Sequence, residues 1–539
     1  MLVSLLVALV VGFVYFYVSL PALNFHAQEF YFFVGLVCAV YIFTALITSG
    51  FDMLGSGNGL KQYLAFIKAQ CLPVGILLLL LVLVGAVGSL ISMPIFRASA
   101  YRNLLTVEQG DFAKEVEEIS FDQIPMLDDV SAQRLGNRKL GELDDMVSQF
   151  EVADIYAQIN HRNRPVRATY LEYGDLIKWL NNRKNGLPAY IIVDMVTQEA
   201  RVVRLSEGIK YSPSELFGRN LYRHLRFQYP TYMFSTPIFE IDEDGHPWWV
   251  CPKLEKTIGL FGGTDINGAV LMDAITGEST YLPPAEIPTW VDRVYSADLI
   301  IEQYDYHGTL VNGFFNSLLG QKAVTVTTEG YNYIAMHDDV YMYTGITSVG
   351  SDQSNVGFLL CNQRTKETKY YKCSGATEYS AMDSAEGVVQ HLKYRATFPL
   401  LLNIAGEPTY FMAMKDDSEL VKMYAMVNVR QYQVVATGAS VAECEAAYVI
   451  LLSRHGIITE VDLPETSITG TIAEVRAAVL EGNSFYFVRL EGETVFYSLS
   501  ASENPVVVIL NLGDTVTIEH AVDGGDGASI LDGYMIAKD

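Results

Sequence analysis

The sequence predicts an α+β protein with three parts: a transmembrane region of three helices, an ectodomain of repeated helix-plus-antiparallel-hairpin units, and a small β-barrel at the C-terminus. Three observations predict it. The first 93 residues hold three long apolar runs. The spacing Asp/Asn-x-x-Thr-x-Glu recurs three times between residues 194 and 367, which is typical of one supersecondary unit used repeatedly. Beyond residue 467, short strands alternate with turns that contain glycine.

Residues 2–19, 30–48 and 72–93 are the three candidate transmembrane helices. Each run is uncharged, apolar and long enough to cross a bilayer. The first run has no basic segment before it and no small-residue cleavage site, so a membrane anchor is favoured over a signal peptide. Buried helices of a soluble core are the alternative, but three successive uncharged runs of this length are rare in soluble domains.

The loops between these runs predict the orientation. The loop between the second and third runs carries Lys61 and Lys68, whereas the first loop has no Lys or Arg. The positive-inside rule therefore predicts that the N-terminus is inside and that the chain after Met93 is outside, although Arg97 and Arg102 weigh weakly against this. Because the runs contain no charge, we expect an anchor or assembly module and no ion path.

The net charge of −25 is unevenly placed. The first 100 residues have a balance of +1, and the rest of the chain therefore carries −26. A surface this acidic repels phosphate backbones, so nucleic-acid binding is disfavoured. The anionic face of a membrane is expected to repel it as well.

Residues 95–153 are predicted to form a stalk or connecting segment, in which 131–150 is compatible with a helix. Two related α+β domains follow at 154–308 and 309–456. Their defining hairpins turn at Asp194–Glu199, Asp273–Glu278 and Asn362–Glu367. A further hairpin is expected at 156–171, with His161 as a solvated turn residue.

Helices are predicted between the hairpins. Tyr173, Leu176, Ile177 and Leu180 have the i, i+3, i+4, i+7 spacing of a helix that packs one face on a sheet. Two capping boxes predict further helix starts, one running from Ser212 to Glu215 and the other from Ser440 to Glu443. In the first of these helices, Phe217, Leu221 and Leu225 are the expected buried stripe.

Residues 457–539 are predicted to form a small β-barrel that resembles an OB-fold. Such barrels often bind nucleic acid. This segment, however, holds 3 basic and 14 acidic residues. A structural or protein-interaction role is therefore favoured.

We find no catalytic signature, and no catalytic, cofactor-binding or metal-binding residue is assigned. H-E-x-x-H, G-x-S-x-G and Walker motifs are absent. Two acidic stretches are candidate metal sites: His337–Asp339, and a half calcium loop running from Glu240 to Gly245. Ordinary turn chemistry is favoured for His337–Asp339, because Asp-Asp is common between two strands. A hairpin turn is favoured for the second stretch, because a calcium loop would place Cys251 where a bidentate carboxylate is needed. The frequent tyrosines suit protein or glycan contact, but a half-buried sheet is favoured.

The six cysteines lack a C-x-x-C pair. Cys361 and Cys373 flank the third hairpin and could form a disulfide if the strand register allows. Two packed thiols are the favoured interpretation.

The helix-then-hairpin unit with the turn Asp273–Glu278 resembles the PepSY and cystatin-like units of extracytoplasmic bacterial proteins. The resemblance covers about 155–455, and Gln198 and Lys366 replace the glycine of this turn in the other two copies. The whole chain also resembles an uncharacterised group of membrane proteins of anaerobic Gram-positive bacteria. Neither resemblance transfers a catalytic residue.

These observations predict a membrane-anchored, extracytoplasmic scaffold or interaction protein that is non-catalytic and assembles with itself or binds an envelope partner. One alternative is an envelope enzyme, or a peptidase regulator as PepSY-like units imply, with its site near His337–Asp339 or the tyrosines. A transport component is a third alternative, which the uncharged transmembrane runs disfavour.

Overall fold

A computed structural model describes residues 2–53, 59–116, 124–336, 338–350, 354–458, 465–480, 483–501, 504–521 and 530–538. It has mixed helix and strand content, with three apolar helices at the N-terminus followed by several antiparallel sheets. The chain divides into two compact units, and the second holds residues 449–539 together with 389–392.

The three predicted transmembrane helices are present. The helices of this region are α1 (Leu2–Ser19), α2 (Gln28–Met53), α3 (Gly59–Phe66) and α4 (Leu72–Ile91). A π-helical turn at Ile67–Cys71 joins α3 to α4, so the third apolar helix starts at Tyr63, earlier than predicted. All three helices are long and apolar enough to cross a membrane, which supports a membrane location.

The membrane helices contact the folded part of the chain directly. In the first loop, the Leu20 carbonyl accepts a hydrogen bond from Arg226 Nε at 2.9 Å. After α4, the Ser92 hydroxyl oxygen accepts the backbone N–H groups of Leu260 and Phe261 at 2.9 and 3.1 Å. The first loop and the C-terminal end of α4 therefore lie on the side of the helices where the sheets are.

The segment expected to be a stalk is packed into the fold. It contains α5 (Pro94–Arg102), β1 (Glu108–Gly110), α6 (Phe112–Glu115) and α7 (Asp129–Gly141). Strand β1 pairs in parallel with a strand of the third sheet described below. Helix α7 buries Ala132 and Leu140 in the hydrophobic core of the first two sheets.

Four antiparallel sheets follow one another along the chain. The first comprises β2 (Phe150–Val152), β3 (Ala157–Asn160), β4 (Pro165–Tyr173), β5 (Leu187–Asp194) and β6 (Ala200–Ile209). The second comprises β7 (Met233–Phe234), β8 (Ile238–Ile241), β9 (Pro247–Ile258), β10 (Gly262–Asp273) and β11 (Ser279–Leu282). The third comprises β12 (Thr325–Thr327), β13 (Asn332–Met336), β14 (Asp339–Ser348), β15 (Ser354–Asn362) and β16 (Thr368–Ala376), with β1 at its edge. The fourth comprises β17 (Arg395–Ala396), β18 (Leu400–Ile404), β19 (Glu407–Lys415), β20 (Val421–Asn428) and β21 (Val435–Gly438).

All four sheets have the same strand order. In each, the third strand pairs with the first, second and fourth strands, and the fourth strand pairs with the fifth. The second strands meet one another, because β3 contacts β8 and β13, and β13 contacts β18. In each sheet, the second to fifth strands are successive neighbours, and the second strand lies next to the other sheets. A four-stranded meander with its first strand innermost is the strand order of a β-propeller blade. The PepSY-like assignment and the boundaries 154–308 and 309–456 stay predictions.

The three predicted hairpins share one turn geometry. At the end of β5, β10 and β15, the side-chain oxygen of Asp194, Asp273 or Asn362 accepts the backbone N–H groups two and three residues later. The fifth residue of each turn has a positive φ: 61° at Gln198, 79° at Gly277 and 66° at Lys366. The recurring Asp/Asn therefore closes the turn, which is the physical reason for the recurring spacing.

Gly277 offers a test of this turn. An added Cβ would lie 2.4–2.7 Å from ring atoms of Tyr211, and φ is left-handed, so we expect Gly277→Ala to cost about 2–4 kcal/mol. Gly406 is the matched control, because its φ is +76° but nothing lies within 4 Å of the added Cβ, and about 1–2 kcal/mol is expected there. Unfolding of the detergent-solubilised chain measures both. If Gly277→Ala and Gly406→Ala lower the free energy of unfolding equally, the close contact with Tyr211 is not the cause of the loss at Gly277.

The helices between the sheets only partly follow the sequence prediction. They are α8 (Leu176–Asn182), α9 (Leu221–Gln228), α10 (Ala297–Thr309), α11 (Glu378–Val388) and α12 (Val441–Arg454). The predicted start of α12 is confirmed, since Glu443 N–H donates to Ser440 Oγ as in a capping box. The Glu443 carboxylate accepts the N–H of Ala439, one residue before the N-cap.

The predicted packing of α8 and α9 was wrong in part. On α8, Leu176, Ile177 and Leu180 face solvent, because the buried residue of this short helix is Trp179. Helix α9 starts at Leu221, with Asn220 as its N-cap. Ser212 to Glu215 is therefore not its capping box, and Phe217 lies before the helix and is exposed.

The C-terminal unit contains five further strands. They are β22 (Glu465–Leu480), β23 (Asn483–Leu490), β24 (Phe496–Ser500), β25 (Thr515–Ala521) and β26 (Ile530–Lys538). They pair in the cyclic order β22-β23-β24-β26-β25 and back to β22. Val488, Leu499, Val516 and Ile518 are fully buried between them. The OB-like assignment stays a prediction.

Candidate functional site

A cavity lies where the first, third and fourth sheets meet the start of α7. Its volume is about 460 Å³. We call it the arginine cavity. Its polar lining is Asp128, Asp129, Tyr156, Arg167, Arg293, Asn332 and Tyr333, and its apolar lining includes Met126, Met195, Phe398, Leu400 and Phe411.

Arg167, on β4, is the most buried cation of the cavity. Its Nη1 donates to Asp129 Oδ1 at 2.9 Å and to the Tyr156 carbonyl at 3.5 Å. Burial lowers the pKa of Arg167, and the nearby charge of Arg293 contributes to the same shift. Two guanidinium groups therefore line the same partly buried cavity.

Arg293, in the loop before α10, is held by Tyr333 on β13. Its Nη2 donates to the Tyr333 hydroxyl at 2.8 Å, and its guanidinium carbon lies 4.7 Å from the centre of the Tyr333 ring. Within the described part of the chain, neither Arg167 nor Arg293 uses its other Nη nitrogen, and both Nε atoms are buried without a partner. Donors therefore remain for a ligand.

The carboxylates of the cavity are already engaged. Asp128 Oδ2 lies 2.5 Å from the buried Nζ of Lys415 on β19, and Asp128 Oδ1 caps α7 by accepting Ser131 N–H. Asp129 accepts from Arg167 and from Gln133 Nε2 at 3.0 Å. The charged lining thus consists of two cations and two anions, and the buried Lys415 behind it pairs with Asp128 and with Glu419. Asp128 is therefore neutralised from outside the cavity, and Asp129 is the anion left to balance the two arginines.

A buried carboxyl pair positions the loop that carries Arg293. Glu240 on β8 is inaccessible to solvent, and its two carboxylate oxygens accept the backbone N–H groups of Asp292 and Arg293 at 2.9 and 3.0 Å. Asp292 Oδ2 in turn accepts Asn160 N–H at 2.6 Å. Burial raises the pKa of Glu240 to about 7 and raises that of Asp292, which the charge of Glu240 raises further.

The site candidates taken from the sequence are structural where they are described. Asp339 accepts a bidentate interaction from Arg364, at 2.6 and 2.8 Å, and a hydrogen bond from Asn362 Nδ2. His337 lies outside the described residues. In the half calcium loop, Asp242 Oδ1 accepts the N–H groups of Asp244 and His246, which is turn chemistry. Among the described residues, no group of three or more metal-binding side chains is arranged to hold an ion.

Other sequence expectations are corrected or refined. His161 is 7% exposed, so its prediction as a solvated turn residue was wrong. Cys361 and Cys373 are free and buried, as favoured, and burial raises the pKa of both thiols. Of the 33 tyrosines, 14 lie in strands that the structure describes, and Tyr331 and Tyr333 line the arginine cavity.

The arginine cavity itself was missed by sequence reasoning. Its charged residues come from positions 128, 129, 167 and 293, and no local spacing joins them. Nothing in the sequence near any one of these residues therefore indicated the cavity.

Comparison of the sequence and structure with known proteins identifies no family for this chain. No family model matches the chain, and no curated protein matches it. Among solved structures, a levansucrase variant from B. megaterium is 8% identical with a TM-score of 0.17, and the match covers 80% of this chain and 95% of that one. A likeness at this level carries no argument about fold or activity.

Proposed function

We propose that this chain is a membrane-anchored interaction protein that binds an anionic group of a cell-envelope partner in the arginine cavity. The observation that carries the proposal is that Arg167 and Arg293 line the same cavity with nitrogen donors that have no partner among the described residues, because an anion stabilises like charges in a partly buried place. A carboxylate or phosphate accepts hydrogen bonds from two guanidinium groups in a geometry that fixes its orientation.

The two arginines of the cavity have different partners. Arg167 pairs directly with Asp129, whereas Arg293 contacts the hydroxyl and ring of Tyr333 and is attracted by Asp129 and Glu240 without a direct ion pair to either. The neighbouring rings and Phe398 and Phe411 would contact the apolar body that carries the anionic group. The resemblance to PepSY-like extracytoplasmic units agrees with a binding role.

The proposed location is outside the cell. The sheets and the first loop lie on one side of the helices, whereas Lys61 in α3 and Lys68 in the π-helical turn lie between α2 and α4. With those lysines inside, the arginine cavity belongs to the extracytoplasmic side. The same topology is compatible with self-association, which mass measurement of the detergent-solubilised complex would detect.

Binding of small anions to the full-length chain in detergent tests the proposal. The probes are glucuronate, inorganic phosphate, a short peptide with a free carboxyl terminus and the same peptide amidated. We expect at least one anionic probe to bind and the amidated peptide to bind much more weakly. In Arg293→Gln, loss of a charge-assisted hydrogen bond should weaken binding by roughly tenfold or more.

Arg430→Gln is the matched control, because Arg430 pairs with Glu407 on the surface and is 55% exposed. Its affinity for the probes should equal that of the unaltered chain. If no anion binds, or if Arg293→Gln binds as tightly as Arg430→Gln, the cavity is not an anion site. A strictly monomeric chain with no co-purifying partner would contradict the scaffold role.

A further inference from the structure

Apolar side chains form an exposed surface beside the membrane helices. Leu176, Ile177 and Leu180 on α8 are 60%, 69% and 49% exposed, and Phe217 is 64% exposed. The Phe217 ring lies 6.1 Å from the ring of the buried Trp179, which joins the two segments. We call these four exposed residues the apolar patch. Such a cluster is unusual for a surface that meets only water.

The apolar patch is connected to the end of a membrane helix. Arg223 Nη1 donates to the Phe217 carbonyl at 2.9 Å, and its Nε donates to the Tyr17 carbonyl at 3.3 Å. Its guanidinium carbon lies 4.3 Å from the centre of the Tyr17 ring. Because Tyr17 is in the last turn of α1, a single side chain spans the distance between the transmembrane helix and the patch.

Aromatic packing strengthens this connection. The Phe227 ring on α9 lies 5.5 Å from that of Phe16 and 6.2 Å from that of Tyr17. Phe227 and Tyr222 are themselves 49% and 44% exposed. Aromatic residues at the end of a transmembrane helix mark the level of the lipid headgroups. The patch therefore lies next to the headgroup level.

Basic side chains surround the apolar patch, although the chain as a whole is strongly acidic. A hollow of about 460 Å³ beside Phe217 is lined by Arg183, Lys184 and Arg219. Of the nearby acids, Asp175 caps α8 and pairs with Lys178, and Glu215 is buried and bonded to Tyr173 and Trp179. The accessible charge that lines this hollow is therefore positive, whereas the net charge of the whole chain predicts repulsion from an anionic membrane.

We propose that the apolar patch rests on the bilayer in which the chain's own helices are embedded. Leu176, Ile177, Leu180 and Phe217 enter the apolar edge of the headgroup region, and Arg183, Lys184 and Arg219 contact anionic phospholipid headgroups. An apolar face flanked by cations is the pattern of segments that lie in a membrane interface. The contact gives the ectodomain a further support, in addition to those at Tyr17, Leu20 and Ser92.

Quenching by brominated lipids tests this contact in the full-length chain. A fluorophore is attached at Ile177→Cys, and the chain is reconstituted into phosphatidylcholine vesicles with lipids brominated on the acyl chain. Leu420→Cys is the control, since Leu420 is 52% exposed and lies between β19 and β20 of the fourth sheet. We expect roughly twofold or stronger quenching at position 177 relative to 420.

Replacing part of the phosphatidylcholine with anionic phosphatidylglycerol tests the proposed contact between the basic side chains and the headgroups. Quenching at position 177 should rise, and Arg183→Gln with Lys184→Gln should remove the rise without altering the unfolding temperature. Equal quenching at the two positions would overturn the membrane contact and leave the apolar patch to a protein partner. If quenching at position 177 is the same with and without phosphatidylglycerol, the proposed role of the cations is wrong.

Discussion

The free energy of unfolding should fall by about 3 kcal/mol as the pH rises from 4.5 to 7, and Glu240→Gln should remove most of this fall. Burial raises the pKa of Glu240 from its ordinary 4.5 to about 7. Across this window the unfolded chain has released the proton and the folded chain still holds it. Rising pH therefore favours unfolding until the folded carboxyl has ionised as well, and the dependence ends above the raised pKa.

Glu240→Gln places a neutral group at this position, so the folded and unfolded chains then bind the same number of protons there. The groups that face the pair are Arg293, Asp338 and Asp339, and they are unchanged. Unfolding of the solubilised chain, followed by tryptophan fluorescence across this pH range, measures the slope. Glu243→Gln, at the exposed turn between β8 and β9, should keep the slope. If the free energy of unfolding depends on pH equally in Glu240→Gln, Asp292→Asn and the unaltered chain, the buried carboxyl pair does not cause that dependence.

Glu215→Ala should lower the free energy of unfolding by about 3 kcal/mol. The carboxylate of Glu215 is inaccessible to solvent and accepts hydrogen bonds from the Tyr173 hydroxyl at 2.7 Å and from the Trp179 indole at 2.8 Å. Alanine would leave two buried donors unpaired beside an empty volume. Chemical denaturation of the solubilised chain measures the change.

Glu215→Gln separates the hydrogen bonds from the volume. Glutamine fills the same space and keeps one acceptor oxygen, so we expect it to recover roughly half of the loss. Glu207→Ala removes a carboxylate that is 69% exposed and pairs only with Lys210, and should cost less than about 0.5 kcal/mol. If Glu215→Ala costs no more than Glu207→Ala, the buried network contributes nothing.

Features that depend on neighbouring residues could be predicted from the sequence. The transmembrane helices follow from uninterrupted apolar runs, and the hairpins follow from an Asp or Asn whose side chain closes its own turn. The α12 cap follows from Ser440 and Glu443 for the same reason. In each case the stabilising contact lies within a few residues of the pattern that predicts it.

Features that depend on distant residues could not be predicted. The sequence predicts Glu215 as a helix-capping residue. In the structure its carboxylate is buried instead, where it accepts hydrogen bonds from the Tyr173 hydroxyl and the Trp179 indole. The apolar spacing of α8 predicts a buried face, whereas Trp179 occupies the space against the sheet and turns that face outward. The arginine cavity is built from residues almost 300 positions apart, and only the folded chain brings Lys415 to Asp128.

The shared geometry of the three hairpin turns has a practical consequence. Because each turn joins its strands with the same backbone hydrogen bonds and the same left-handed residue, its ends leave in the same direction. We therefore expect the segment 273–278 to be accepted in place of 194–199 with the flanking strands kept in register, at the loss of the hydrogen bond from Gln198 Nε2 to the Tyr424 hydroxyl. Such cassettes let an epitope tag or a reporter group be moved from one part of the molecule to another while the attachment chemistry stays constant.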